Sequence, residues 1–265
     1  SITNITFQNF QDGIYIRQTD SVLISDVILQ NGGYYVNFEF GNIQSLTIRN
    51  SKLKNIRCDY ALSITNWGEQ QNFFSIENCI IENNSPGYYP TSEGREGGGI
   101  EIQGSWMDTI FRSYGRIINT QITENTRIPD PEGGDGKVAG LYVNGAVKVD
   151  LINASVANNI LIASGGSGVS SAINAELNIY NSILFDNYQN QLAVGYEEVY
   201  TPAICRVYNS DLEGGESEVE IWYPTATLIW GPGNIDSMPL WDTTAATPYA
   251  IPWNSPCVNT GTQMY

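Results

Sequence analysis

No histidine occurs among the 265 residues. That absence excludes nucleophiles activated by an imidazole and ordinary zinc sites built on imidazole ligands. Cations are scarce as well, with 12 Lys and Arg against 28 Asp and Glu, for a formal charge of -16. Affinity for nucleic acid or anionic lipid rests on basic residues, so neither partner is expected, and the plain reading of the acidity is solubility. The four cysteines, Cys58, Cys79, Cys205 and Cys257, make no CxxC pair and no metal spacing. No apolar run approaches the roughly 18 residues of a membrane span, which argues against membrane insertion, and no secretory signal stands at the start. The chain opens inside a repeat at Ser1, without an initiator methionine or capping element, and is expected to be an excised or processed piece of something longer.

What the chain does contain is a pattern, seen at Leu46 to Asn55 as LTIRNSKLKN, that returns along most of its length. Aligned on a polar anchor, the copies centre on Asn4, Asp26, Asn50, Asn78, Asn119, Asn153, Asn181 and Asn209. Two residues before the anchor stand Ile2, Ile24, Ile48, Ile76, Ile117, Leu151, Ile179 and Val207. Three after it stand Phe7, Leu29, Leu53, Ile81, Ile122, Val156, Leu184 and Leu212. Four before lies a mostly apolar column from Val22 to Cys205, and one after lies a set of smaller residues that includes Cys79, so that Cys79 and Cys205 face inward as small hydrophobes.

Alternation within each half is strand periodicity. Across the anchor the spacing is odd, so a continuous strand would throw one half outward. The chain must bend there, and Asn or Asp tolerates the left-handed backbone of such a bend. A second Asn five residues on, at Asn9, Asn31, Asn55, Asn83 and Asn158, marks a second corner. Upstream, the pairs Ile14/Ile16, Phe38/Phe40, Leu141/Val143 and Val169/Ser171 form a third strand. Gly13, Asn37, Gly140 and Gly168 precede these pairs, which predicts a positive φ at each.

Anchor-to-anchor spacings of 22, 24, 28, 41, 34, 28 and 28 are too irregular for a leucine-rich repeat. They suit an all-β, right-handed parallel β-helix, whose coils need only their own strands to stack while the loops vary. About nine coils of three short strands, at roughly 4.8 Å each, make a rod about 43 Å long. Residues 1–235 are read as the helix, including one decayed coil after Gly214. Residues 236–265 are read as a Pro/Trp-rich covering segment of the same domain, suited to the open end of the stack, since such a composition cannot continue a ladder.

The two largest insertions, Asn84 to Gly99 and Asn125 to Gly140, leave the same corner of consecutive coils. They are expected to gather Tyr88, Tyr89, Glu93, Arg95, Glu96, Arg127, Asp130, Glu132 and Asp135 on one flank. A second pair of extensions, Thr65 to Phe73 and Gln103 to Tyr114, carries Trp67, Trp106 and Asp108 at a neighbouring corner. Glu101, between Ile100 and Ile102, points outward between the two groups. Exposed aromatics beside carboxylates suit sugar rings, so Tyr88, Tyr89, Arg95, Glu101 and Trp106 are the glycan-binding candidates; equally, these aromatics could simply cover the sheet beneath them. The run DPEGGDG offers Asp130, Glu132 and Asp135 as oxygen ligands for calcium, the one cofactor the sequence suggests, although a solvated acidic turn has the same composition.

Near the C-terminus, NIDSMPLW followed by NSPCVNTGT resembles the closing segment of bacterial secreted right-handed β-helix proteins, where NID-x-x-P-L precedes SPC-[IV]-[DN]-x-G. GGGIEI at Gly97 to Ile102 and the recurrent I-x-x-N endings are similar to the repeats of cell-surface and autotransported β-helix proteins. The resemblance is to the pectin-lyase-like superfamily, and it implies a secreted or cell-surface location. That superfamily holds pectate lyases, polygalacturonases, phage tailspikes and surface adhesins. Its lyases hold calcium with acidic side chains and use an Arg or Lys base on an outward strand face, while its hydrolases use clustered Asp.

The outward column here reads Tyr15, Glu39, Ser63, Glu101, Tyr142 and Ser170, with neither an Asp cluster nor a base. The sequence therefore favours an extracellular adhesin or matrix module binding a polysaccharide, a surface glycan or another extracellular protein. One alternative is a polysaccharide lyase or glycoside hydrolase acting on acidic polysaccharide, with Glu101, Arg95 and Asp108 as its catalytic candidates and Glu93, Asp130 and Lys137 nearby. The other is a structural spacer.

Overall fold

The computed structural model describes residues 1–10, 13–32, 38–68, 70–86, 98–105, 110, 113–128, 138–161, 167–195, 202–242, 244 and 249–263. They form a parallel β-helix of nine coils. Their strands build three parallel sheets of nine, eight and eight strands, and the first sheet runs from Ile2–Thr3 to Thr227–Trp230. The strand after each anchor builds the second sheet, and the upstream strand builds the third. Register follows the repeat: Ile24 pairs with Ile48, Ile48 with Ile76 and Ile76 with Ile117 in the first sheet, and Leu53 pairs with Ile81 in the second. The decayed region after Gly214 supplies the ninth coil through Glu220–Ile221, Thr227–Trp230 and a bridge from Ile235 to Asp211.

The corners are where the sequence dictates the shape. All eight anchors take positive φ, from 49° at Asn50 and Asn181 to 58° at Asp26. So do all eight residues five positions on; Glu124, Asp186 and Gly214 join Asn9, Asn31, Asn55, Asn83 and Asn158. At a single left-handed residue the inward parity of the side chains resets, which is why both halves of the repeat point their apolar residues to the axis. Anchor side chains stack along the axis: Asn78 donates to Asn50, Asn119 to Asn78 and Asn153 to Asn119, at 3.2–3.3 Å.

The glycines before the third strand have a different cause from the one expected. Gly140 and Gly168 do not take positive φ. They stack so closely that a Cβ on Gly140 would lie 2.4 Å from the Gly168 carbonyl oxygen, and one on Gly99 2.6 Å from that of Gly140. Asn37 lies outside the described residues.

Inside, the apolar columns are closed to solvent from Ile24 to Val207, with the first coil's Ile2, Phe7, Ile14 and Ile16 partly covered. The small column one after the anchor is polar at Ser51, Thr120, Ser182 and Ser210, and each hydroxyl is satisfied locally. Ser182 Oγ donates to the Tyr180 carbonyl at 2.8 Å and accepts the Ala154 amide of the preceding coil at 3.1 Å. Cys58, Cys79 and Cys205 are buried, Cys257 is half-buried, and none is in a disulfide.

A feature the repeat analysis did not anticipate lies six residues after the anchors, where Asn84, Asn125, Asn159 and Asn187 form a buried ladder against the glycine column. Asn125 uses its full bonding capacity. Its Nδ2 donates to the Ile81 carbonyl at 3.1 Å and to Asn159 Oδ1 at 2.9 Å, and its Oδ1 accepts the amide and the Nδ2 of Asn84 at 3.2 and 2.9 Å. Gln191 ends the ladder by accepting from Asn187 at 2.7 Å.

The Pro/Trp-rich tail does lie over the stack, but along its flank. The Asn181 side chain takes the place of a strand partner for Thr262, donating to its carbonyl at 2.7 Å and accepting its amide at 2.9 Å. Tyr249 is buried between two second-corner residues, donating to Glu124 Oε1 and accepting from Asn158, each at 2.8 Å. Cys257 Sγ donates to Asp211 at 2.9 Å. The tail follows this course because outward polar corners offer partners to a chain that, broken by proline, joins none of the three sheets among the described residues.

Two outcomes follow from this packing. Replacing Asn125 with Leu leaves several buried groups unpaired and should cost about 3 kcal/mol or more in urea unfolding; an unchanged midpoint would contradict the ladder. Burial foremost, with the charge of Asp236 adding to it, raises the Asp211 carboxyl above its ordinary value despite the bonds from Cys257 and Ser237. A raised folded-state value means stability that is present below the ordinary carboxylate range and lost as pH rises through the shifted one. Asp211→Asn should therefore gain in melting temperature relative to wild type as pH is taken from about 3 to 7; a difference that shrinks over that range would refute the assignment.

Candidate functional site

The loops on which most candidates ride fall outside the described residues. That holds for Tyr88, Tyr89, Glu93, Arg95, Glu96, Trp106, Asp108, Asp130, Glu132, Asp135 and Lys137, and so for the calcium candidate as a whole. Their point of departure is described: Asn84 and Asn125, one coil apart, are joined by the buried ladder, so the two large insertions leave the same corner of consecutive coils.

Glu101 sits on Ile100–Gln103 of the third sheet, with Ile100 and Ile102 buried on either side and its own side chain half-exposed. The register carries the column Tyr15, Glu39, Ser63, Glu101, Tyr142 and Ser170 from coil to coil as the repeat requires. Ser63 donates its hydroxyl to Glu101 Oε2 at 3.0 Å. The nearest carboxylate along this ladder is Glu39, two coils or about 9.6 Å away, and it is bonded to Arg17.

The column does not stay outward. Tyr142 and Ser170 are buried, and Tyr142 joins Tyr60, Val138, Ala172 and Ile173 in a second apolar cluster outside the β-helix core.

Arg127 likewise departs from expectation. Instead of lying on the loop flank it is the largest fully buried side chain, 1% exposed. It belongs to the corner strand Thr126–Arg127, paired with Ile160–Leu161, and its guanidinium lies 4.8 Å from the centre of the Tyr60 ring. Strand alternation alone could not reveal this, because the two-residue corner strand lies outside the three repeating columns.

The neighbouring corner, between the third and first sheets, is described in part and holds a groove. Gln18 and Asn42 turn the chain there with φ of 55° and 52°. The groove is lined by Gln18, Thr19, Asp20, Asn42, Gln44, Asn66, Gly68, Gln70 and Asn72. Its amides are set by one another: Gln44 donates to Gln70 at 2.9 Å, Asn42 Oδ1 accepts the amides of Trp67 and Gly68 at 3.0 and 3.1 Å, and Asn66 donates to Ser113 at 2.8 Å. Trp67, held between two lining residues, is 67% exposed. Its extension was legible from the sequence, whereas the amides, scattered over three coils, become neighbours only once the coils stack.

No protein-family model matches the chain, and no curated protein matches it. Among the described residues no helix is long and apolar enough to cross a membrane.

Removing Arg127 takes away both a desolvated cation–π contact and buried packing. Arg127→Ala should lower unfolding free energy by about 2 kcal/mol or more, and a urea midpoint equal to wild type would contradict its buried placement.

Proposed function

We propose that the chain is an extracellular or cell-surface β-helix module, of the pectin-lyase-like surface type its repeats and closing segment resemble, that binds glycan without cleaving it. The observation that carries this reading is the corner groove. An indole lying mostly in solvent beside fixed, neutral amide donors and acceptors is the equipment for a sugar, whose ring offers apolar C–H faces and whose edge offers hydroxyls of both polarities.

The surroundings of Glu101 support binding over cleavage. Hydrolysis by paired carboxylates requires two of them within reach of one bond and one water. Along the described ladder Glu101 instead has a serine hydroxyl on one side and a buried tyrosine on the other. Held on a strand, it accepts the Ser63 hydroxyl, the kind of bond that a sugar hydroxyl makes to a carboxylate.

Incubation with polygalacturonate, alginate and neutral glycans, with and without calcium, tests the proposal. Binding to at least one glycan is expected, weakened about tenfold by Trp67→Ala, with no unsaturated product and no new reducing ends. Turnover lost on Glu101→Gln would replace the binding module with a lyase or hydrolase. Absence of any glycan binding would leave a protein-binding module or a structural spacer.

A further inference from the structure

The outward face of the first sheet, away from the corner groove and from the Glu101 ladder, presents a second set of side chains turned away from the core. On adjacent coils Phe73 pairs with Tyr114, and the two rings stack at 5.8 Å with an interplanar angle of 22°. Both point away from the core, whose neighbouring inward position is filled by the Phe74 ring lying in the space left by Gly115. Phe73 is half in solvent. Next along the same column comes Lys148, and beside the rings in the adjacent column stand Arg116 and then Asp150. Together Phe73, Tyr114, Arg116, Lys148 and Asp150 line a groove.

The charges of this groove are arranged unequally. Its carboxylate, Asp150, and the neighbouring Glu176 are served from within the sheet. Glu176 takes Lys148 at 2.6 Å and Arg206 at 2.8 Å, and Asp150 accepts Asn178 at 2.8 Å. Burial pushes the Glu176 carboxyl up, but the bond and charge of Lys148 and the charge of Arg206 outweigh it and hold the group below its ordinary range. Arg116, by contrast, approaches Asp150 no closer than 3.8 Å, beyond hydrogen-bond reach, and its side chain is 65% exposed. A guanidinium with uncommitted donors thus stands beside a two-ring aromatic platform.

We infer that this face binds a second glycan chain, one that carries carboxylate or sulfate groups, with sugar rings stacked on Phe73 and Tyr114 and an anionic group held by Arg116. Charge favours the assignment. The described strands of this face carry Arg49, Arg116, Lys148 and Arg206 against Glu77, Asp150 and Glu176, a local excess of cations in a chain of net charge -16. Screening over about 8 Å at physiological salt confines the repulsion of the remaining acidic surface. Nucleic acid, whose affinity rests on neutralising many phosphates with free cations, is disfavoured on a face where Lys148 and Arg206 are already paired with Glu176.

The inference stands apart from the corner groove, and the variants separate them. Affinity electrophoresis and calorimetry of the intact chain with polygalacturonate, heparin and uncharged dextran form the test. Binding to polygalacturonate or heparin is expected, with dextran excluded from this face, and Arg116→Ala and Tyr114→Ala should each weaken it about tenfold, in the wild-type and the Trp67→Ala background alike. Preference for polygalacturonate assigns carboxylate and preference for heparin assigns sulfate. Arg116→Lys should restore part of the affinity, and because all these residues lie on the outer face, melting temperatures near wild type are expected. Binding of neither anionic polymer, or anionic binding indifferent to both Arg116→Ala and Tyr114→Ala in folded protein, would overturn the assignment.

Discussion

A parallel coil has no hydrogen-bond partner within itself: its amides and carbonyls point along the axis and must meet those of the coils on either side. The whole structure depends on keeping successive coils in register at the places where the chain turns. Here a single residue in the left-handed region does this at each of two corners per coil, and from Asn50 to Asn153 at the first corner and at Asn55 and Asn83 of the second, the same side chain also bonds to its counterpart one coil away. Backbone permission and axial cohesion are thus supplied by the same asparagines. The strands between them need only be short and apolar on one side, which is why the loops are free to vary from coil to coil.

Most of that architecture was legible because it repeats. Ile24, Ile48, Ile76 and Ile117 stand at one offset from their anchors and end in one ladder, and the column through Glu101 runs as the spacing dictates. What escaped notice was polar and buried. Asn84, Asn125, Asn159 and Asn187 are adjacent to the corner residues, and a polar residue beside a turn reads as surface until the coils are stacked and its amide is seen to meet a carbonyl on one side and an amide on the other. The glycines were misread for a related reason. A glycine before a strand suggests a tight turn, whereas Gly140 and Gly168 are small because the backbone of one coil nearly touches that of the next.

Functional side chains were less legible, since sites on a solenoid are assembled across coils separated by 22 to 41 residues in sequence. Trp67 announced itself as an aromatic on an extension. Its amide neighbours did not, because Gln18, Asn42, Gln44 and Gln70 come from three turns of the rod. The same holds for Phe73, Tyr114, Arg116 and Lys148, each unremarked in its own strand and meaningful only as a stack. Arg127 shows the opposite case: a charge that looked like part of a loop surface is enclosed beneath it, its guanidinium resting on a ring.

The flank-lying tail alters how the rod holds together. In a solenoid each coil ordinarily touches its two neighbours, and stability is close to a sum of local terms. By gripping Glu124, Asn158, Asn181 and Asp211 in coils five to eight, one segment adds a term shared by four coils at once. Those coils gain or lose their order collectively, while coils one to three, where the Trp67 groove lies, are bound to the rest only in sequence along the axis among the described residues. The molecule is accordingly graded in cooperativity, with a clamped half and a half able to open one rung at a time, and the corner that carries Trp67 belongs to the compliant end.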